Sequence, residues 1–378
     1  MKNGIYIHYG SKTELTGVEK KIQSQIKTLS AHFNINRILI EKEKTNIIKS
    51  ILWRLPFGSW GAKYEDALNE IERINEEKTI DFIYIRKPLF DRKAIYFLKQ
   101  LREKYKNTKI IMEIPTYPYN KELLNNKTMW PWFFKDMLYK GYLSKYIDRI
   151  CTFSDDEYIY GIKTINICNG ICIDNFHAEY NKKEKDDCIN LLTVAQFQKS
   201  HGYERIIKGL KKYYEDNKIK KRVVFHMVGY GEELSYYKSL VKKYKLQDYV
   251  ILYGKKIGKD LNDIYNIADI GLGCFGLYKR KIEISSALKT REYLAHGLPV
   301  VSGAFEDAFE KESCEYYLQF PNDKSEVSIM EIVSFYNALL RKYNVEKLKN
   351  NIFCYAKRNV DMKVVMRPII DYIINFEN

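Results

Sequence analysis

Ser285–Val301, SSALKTREYLAHGLPVV, passes from a small polar loop into a helix and out into an apolar strand. Gly297-Leu298-Pro299 ends the helix, because glycine suits the conformation of a helix stop and proline cannot continue one. The first turn, Ala287, Leu288 and Lys289, offers unpaired backbone N–H groups, which attract phosphate, and the lysine adds a full charge. Glu292 stands four residues after Leu288, one turn along. A carboxylate there can accept from the ribose hydroxyls of a nucleotide whose phosphates sit at the helix start. Taken alone, the same residues also describe an ordinary surface helix with a charged beginning.

The residues before this stretch alternate strand and helix. Cys188–Ala195, Val223–Val228, Val250–Tyr253, Ile270–Cys274 and Pro299–Ser302 read as strands. Tyr203–Glu215, Glu232–Tyr244, Leu261–Ala268 and Leu288–His296 read as helices between them. In Val228-Gly229-Tyr230-Gly231-Glu232, glycines at a strand end let backbone approach a ligand, placing Gly229 and Tyr230 among the candidates. Val250–Tyr253 runs into Gly254 and Lys255, whose loop suits a nucleobase. Gln196 and His201 lie in the loop between the Cys188 strand and the helix at Tyr203.

The first half has the same rhythm. Ile5–His8, Arg37–Ile40, Asp81–Ile85, Lys109–Ile114, Arg149–Phe153 and Thr164–Cys168 are expected strands; Val18–His32 and Asp91–Tyr105 are expected helices. Such alternation gives parallel sheets covered on both faces. Polar Glu179–Asp187 reads as a linker. The expected fold class is therefore α/β, two doubly wound Rossmann-like domains facing a cleft. Their expected ranges are 1–180 and 181–360, with a helix over 361–378 packing back on the first.

The chain has 378 residues, 46% of them hydrophobic and 29% charged, which excludes a disulfide miniprotein, a collagen-like chain and a disordered one. The net charge of +15 favours anionic partners, yet no RNP box or C2H2 finger points to nucleic acid, and a solvated surface explains the charge as well. Seven cysteines without a CxxC motif suit reduced thiols in a cytosolic protein. The opening MKNGIYIHYG enters a strand-like run with no signal-peptide core, and no run of about 18 apolar residues occurs. A cytoplasmic protein is expected. No HExxH, DxD-type pair or Cys/His cluster stands out, so no metal and no cofactor are expected; Asp155-Asp156-Glu157 reads as the cap of a following helix.

In order and spacing, residues of about 188–305 resemble the retaining GT-B glycosyltransferases of family 4, the glycosyl transferases group 1. The family's Glu followed by Ala-x-Gly-x-Pro-Val-Val is matched by Glu292, Ala295, Gly297, Pro299, Val300 and Val301. Weaker echoes are Thr16-Gly17-Val18-Glu19, Asp148–Ser154 and Asn169-Gly170-Ile171. The resemblance implies that Glu292 holds the donor ribose and that Ala287, Leu288 and Lys289 hold the diphosphate. It also implies a glycine-rich loop at Gly17 near donor phosphate or acceptor. The family's earlier Glu is replaced by Ile284, leaving adjacent Glu283 as the candidate for the sugar contact. Its phosphate-binding Arg and Lys are replaced by Gln196 and His201, so Lys289, Arg291 and Lys199 are expected to supply charge. Lys289, His201 and Glu283 are thus the catalytic candidates.

The resemblance further implies transfer of a sugar from a nucleotide-sugar, with uridine preferred, to a glycan or lipid-linked glycan hydroxyl in bacterial surface polysaccharide assembly. Glu113, Thr116 and Tyr117 follow the fourth strand and suit acceptor hydroxyls; a proline-rich turn is the plainer account. Met129–Phe134, with Lys135, Lys140 and Lys145, suits an anionic membrane interface or packing inside the first domain. A nucleotide-sugar epimerase, a catalytically inactive nucleotide- or glycan-binding subunit, and a salt-sensitive nucleic-acid binder remain as alternatives.

Overall fold

Short apolar runs separated by amphipathic stretches become parallel strands and crossover helices in the computed structural model. It describes residues 1–10, 17–41, 43, 46–55, 58–59, 61–115, 117–124, 127–176, 188–216, 221–309 and 314–375. Two compact units result: residues 1–168 with 365–378, and residues 169–364.

The first unit contains β1 (Asn3–Tyr9), α1 (Gly17–Ser30), β2 (Asn34–Ile40), α2 (Ile47–Arg54), α3 (Tyr64–Glu77) and β3 (Phe82–Arg86). It continues through α4 (Arg92–Lys104), β4 (Lys109–Ile114), α5 (Asn120–Leu124), α6 (Trp130–Tyr139), β5 (Arg149–Thr152), β6 (Tyr158–Ile159) and β7 (Ile162–Asn166). Its sheet has the order β2-β1-β3-β4-β5-β7-β6, parallel except for the β6–β7 hairpin. The central strands are buried along nearly their whole length, which explains their continuous apolar sequence. Asp91 caps α4 by accepting from the Ala94 amide at 2.8 Å.

The second unit contains β8 (Cys188–Gln196), α7 (Glu204–Glu215), β9 (Arg222–Tyr230), α8 (Leu234–Lys243), β10 (Val250–Gly254), α9 (Gly258–Ile267) and β11 (Ile270–Leu272). After these come β12 (Ile284–Ser285), α10 (Leu288–Ala295), β13 (Val300–Ser302), β14 (Phe305–Glu306), β15 (Tyr317–Gln319), α11 (Ile329–Lys342) and α12 (Val345–Asn359). The chain closes with α13 (Met362–Val365) and α14 (Arg367–Ile374). The main sheet, β10-β9-β8-β11-β13-β15, is wholly parallel. Counted from β8, this is the Rossmann order, and it reverses direction between β8 and β11.

Three expectations need correction. The first division falls at 168/169, not 180/181, because Ile171 and Ile173 join the second unit's core. The expected linker, 179–187, lies outside the described residues. The terminal stripe forms two short helices instead of one, with a proline in the first turn of α14 restarting the helix after Met366. Residues 361–364 stay with the second unit, where the Met362 amide donates to Ile171 O at 2.8 Å. In the first unit, α14 buries Ile369, Ile370 and Ile373, and Lys2 Nζ donates to Ile373 O at 2.7 Å. Finally, Asp155–Glu157 leads into the β6–β7 hairpin rather than a helix; Thr164 Oγ1 donates to the carbonyls of Asp156 and Glu157. Among the described residues, no helix is long and apolar enough to cross a membrane.

Candidate functional site

Parallel sheets bind ligands beyond the carboxyl ends of their strands, at the place where the strand order reverses. In the second unit that place is the loop after β8 and the loop after β11. The two loops are joined: the Phe275 amide donates to His201 O at 2.8 Å and the Gly276 amide to Ser200 O at 3.2 Å. Gly202 has φ +63, and a Cβ there would lie 2.5 Å from Gly276 N. Only glycine allows the loops to approach so closely.

This junction gathers Lys289, His201 and Tyr203. Lys289 is the second residue of α10. Its Nζ donates to Tyr203 OH at 2.7 Å and to Gly273 O at 3.0 Å, just past β11. Among the described residues, no carboxylate lies in salt-bridge range of it. His201 stacks on Tyr203, with ring centroids 5.6 Å apart and planes within 2°. Its Nδ1 accepts from the Gln198 amide at 3.0 Å. Burial, and then the Lys289 charge, push its pKa down to about 2. The imidazole is therefore neutral at physiological pH, and with Nδ1 accepting, its proton is assigned to Nε2. Tyr203 OH in turn bonds Thr193. The sequence reading gave Tyr203 no role; the aromatic directly after Gly202 was the available signal.

The start of α10 carries Ala287 as its cap residue, with no side chain bonding the first amides. Immediately before it, Ser286 Oγ is buried without a hydrogen-bond partner among the described residues, and Asn169 Nδ2 donates to Ser286 O at 2.6 Å. Leu288 and Lys289 open the helix, and Glu292 follows one turn on, where its Oε2 accepts from Tyr265 OH at 3.3 Å. Beneath this turn lies Glu306, fully buried, which the sequence reading also missed. It accepts from Thr290 Oγ1 at 2.9 Å and Ser302 Oγ at 3.0 Å, and burial pushes its carboxyl upward.

Other expected residues fall around this centre. Gln196 ends β8 and is exposed. Gly229 and Gly231 have φ +138 and +141, and a Cβ on either would strike the Ala195 or Phe197 carbonyl oxygen, at 1.8 and 2.3 Å. These glycines serve the close packing of the β8 and β9 ends, whereas ligand approach was expected. Tyr230 is half exposed, with Lys255 Nζ 5.7 Å from its ring centroid, and Gly254 (φ +70) borders open space. Glu283 is exposed and accepts from Asn322 Nδ2 at 3.2 Å; among the described residues it makes no hydrogen bond to Lys289 or His201. Arg291 departs from its expected role as a phosphate cation. It is buried, pairs with Asp307, and donates to Asn169 O at 3.1 Å and Ala287 O at 3.2 Å, bracing the helix start from inside. Lys199 is exposed, and its carbonyl accepts from Lys279.

In the first unit, Gly17 opens α1, while Thr16 and Thr116 lie outside the described residues. Glu113 was expected to meet an acceptor, but it is fully buried. Its oxygens accept from Lys21 (3.1 Å), Gln25 (2.9 Å), Tyr84 (2.8 Å) and Arg86 (3.3 Å), which leaves it no capacity for a sugar. Burial pushes its carboxyl up, but Lys21, Arg86 and the hydrogen bonds outweigh that and hold it at about 2. Tyr117 is half-buried against the rings of Tyr119 and Tyr160. Tyr160 OH donates to Tyr119 OH (2.7 Å), which donates to Asp136 (2.6 Å). In the aromatic segment, Trp132 and Lys135 are buried, whereas Trp130 and Phe134 are exposed. Among the described residues, no cluster of three or more His, Cys, Asp or Glu side chains could hold a metal ion.

Residues 173–310 match the family Glycosyl transferases group 1. No curated protein sequence matches the chain. Among solved structures, the apo lipopolysaccharide outer core galactosyltransferase WaaB aligns over 98% of this chain and 99% of its own, at 13% identity and a TM-score of 0.59. A glycosyltransferase from Rickettsia africae aligns over 99% of both chains at 16% identity and a TM-score of 0.63. Sucrose-phosphate synthase from Thermosynechococcus elongatus does so over 99% of both at 14% identity and a TM-score of 0.63. At these identities the likeness speaks to the fold, which is GT-B. Residues 173–310 match the glycosyl transferases group 1 and the fold around them is that of GT-B glycosyltransferases, which marks the chain as a glycosyltransferase.

Proposed function

We propose that this glycosyltransferase moves a sugar from a UDP-sugar to a hydroxyl of a glycan or lipid-linked glycan, with retention, in bacterial surface polysaccharide assembly at the cytoplasmic face of a membrane. The observation that carries the reading is Lys289. Its ammonium is fixed at the strand-order reversal and beside the open helix start, without a carboxylate partner among the described residues. In this proposal the α10 amides and Lys289 hold the diphosphate, and Glu292 holds the ribose. His201 donates Nε2–H to a phosphate oxygen. Ser286 Oγ gains the partner it lacks. Tyr230, Gly254 and Lys255 border the base, and Gln196 and Glu283 border the sugar.

As the glycosidic bond breaks, negative charge grows on the leaving diphosphate, and donors already in position stabilise it. The leaving oxygen then takes the acceptor hydroxyl's proton on the same face of the sugar, which gives retention. This scheme draws on no metal and no cofactor beyond the donor. The first unit is assigned the acceptor, with half-buried Tyr117 the one described acceptor candidate that is not fully buried.

The test is a thermal-shift screen of uridine and guanosine nucleotide-sugars. Nucleotide release with lipid-linked glycan extracts follows, and the anomeric configuration of the product is read by NMR. Stabilisation by UDP-sugars, with retained configuration, is expected. A complex with the nucleotide lodged away from residues 287–292 overturns the reading. The neutral His201 favours one second reading, a nucleotide-binding subunit without turnover; it predicts stabilisation but no nucleotide release with any acceptor.

A further inference from the structure

Helix α2 inverts the usual arrangement of a helix on a parallel sheet: none of its residues is buried. Ile47, Ile48, Ile51, Leu52 and Leu55 are between 50% and 81% exposed and fall on one side, at helical spacing. Its remaining face carries Lys49, Ser50 and Arg54, and IIKSILWR contains no acid, although Glu43, outside the helix, lies 3.8 Å from Lys49. The helix is nevertheless anchored at its end. Lys135 of α6 donates to Trp53 O and, at 2.8 Å, to Gly58 O, and Ser59 Oγ donates to Asp91 at the start of α4 at 3.1 Å.

That anchoring joins α2 to a second exposed apolar face. On α6, Phe134, Met137 and Leu138 are all more than half exposed. The only acid of α6, Asp136, is buried and paired with Lys87 at 3.3 Å, so neither helix shows a carboxylate to solvent. Beside Ser59 opens a cavity of about 590 Å³ lined by Arg92, Lys93, Ile95, Tyr96 and Lys99; its three cations outnumber the two carboxylates within reach of them, Glu43 at 4.0 Å from Lys93 and Glu103 at 3.6 Å from Lys99. Monomeric soluble proteins seldom expose large apolar patches, and eight large apolar side chains on these two helices are half or more exposed. An apolar face bordered by lysine and arginine, with a Trp at its edge, has the composition of a helix lying in a bilayer interface.

We propose that the α2–α6 face of the first unit docks on an anionic lipid bilayer, with the apolar side chains entering the headgroup boundary and the Arg92–Lys99 cavity taking a lipid phosphate. The proposal rests on the membrane-face location proposed above and names the surface that makes the contact; it is independent of the donor chemistry. Charge favours this occupant over a second copy of the chain, because two such faces would bring like charges together.

The test is co-sedimentation of the full chain with phosphatidylcholine vesicles, with and without phosphatidylglycerol and free of any glycolipid, at low and high salt. Binding that requires phosphatidylglycerol and falls with salt is expected, with a blue shift in emission that Trp130→Phe diminishes. Lys49→Glu with Arg54→Glu should weaken it roughly tenfold or more, since each cation near an anionic surface is worth about a factor of five. Ile48→Asp with Ile51→Asp should weaken it similarly, and Phe134→Ser tests the same face from the other helix. These side chains are exposed, so unchanged melting temperatures are expected and separate loss of docking from loss of fold. Wild-type protein that stays in the supernatant, or variants that bind like it, overturn the proposal. So does light scattering that shows a dimer abolished by the isoleucine variants, since the face would then join two copies. UDP stabilisation measured on the same preparations keeps the two readings apart. Docking lost with stabilisation intact sinks only the surface; docking intact with no UDP response sinks only the donor assignment.

Discussion

Replacing Lys289 with alanine removes the fixed charge on which the proposed chemistry depends. In the structure the ammonium is held by Tyr203 OH at 2.7 Å and Gly273 O at 3.0 Å, not by a carboxylate, so its charge is available to a ligand. Loss of one preorganised donor to a developing anion costs about 3–4 kcal/mol, or roughly 10²–10³ in kcat. The cost in fold is smaller: the lost hydrogen bonds are worth about 1 kcal/mol each, and Tyr203 keeps its bond to Thr193. His201 cannot take over. Burial is the larger cause of its low pKa and Lys289 the smaller, so removing the lysine leaves the imidazole neutral near pH 7. The defect should therefore stay constant between about pH 6 and 8, without the recovery on acidification that a newly charged histidine would give. The assay is initial nucleotide release from the donor identified by the screen, with UDP affinity measured separately by calorimetry and folding by thermal melting. Turnover within a few-fold of wild type would refute the assignment of Lys289. A rate loss matched by a collapse in melting temperature would refute the small folding cost argued here.

Four further perturbations probe the same architecture. Glu292→Ala should weaken UDP roughly tenfold to a hundredfold, as for hydrogen bonds to a charged group, and should leave a dideoxyribose analogue unaffected in calorimetry. Gly229→Ala places a Cβ 1.8 Å from Ala195 O at φ +138, and should lower stability in urea titration by about 3 kcal/mol or more. Glu113→Gln should cost the first unit about 3 kcal/mol at neutral pH, because Lys21 stays buried without its counter-charge. The carboxyl's folded pKa, about 2, lies below its ordinary 4.5, so its contribution is complete above 4.5 and lost as pH falls through 2; the gap between wild type and mutant in urea midpoints should narrow in that window. His201→Lys adds a second cation and should tighten UDP in calorimetry without a matching rise in kcat, as slower product release would dictate.

The sequence made the strands legible where burial on both sheet faces imposed unbroken apolar runs, as in β4 and β9. It did not show which side of a helix turns inward where burial follows another rule. Helix α10 buries Thr290, Arg291, Tyr293, Leu294 and Ala295, so charged and apolar residues sit inward together and helical periodicity is lost. That is why Arg291 read as a phosphate ligand: its charge was visible, but not Asp307, sixteen residues on, which claims it. Glu113 misled in the same way. Its position at a strand's carboxyl end was read correctly, yet its four donors come from α1 and β3, and no spacing in the sequence pairs them. That Lys289 and Glu292 stand in the first turn of a helix and one turn beyond was legible, because that placement is local. Tyr203, which touches both His201 and Lys289, was hidden because Lys289 reaches it from α10, 86 residues along the chain.

This arrangement gives a physical account of how a glycosyltransferase can do without the arginine and lysine that its family resemblance implies at 196 and 201. On the proposed reading, the diphosphate gains one negative charge as the bond to the sugar breaks. Groups that bind substrate and transition state equally do not speed that step; only those whose attraction grows with the new charge do so. A half-buried neutral Nε2–H and a row of helix amides meet this requirement, because their dipoles are fixed before the charge appears and cost no reorganisation. A second ammonium would also gain attraction as the charge grows, but it would hold the departing nucleotide as firmly and slow its release. With Tyr203 holding the one ammonium against Gly273 O, and Gln198 holding the imidazole, the charge in the site is small but immobile. Immobility is what converts a weak ground-state attraction into selective stabilisation of the leaving group.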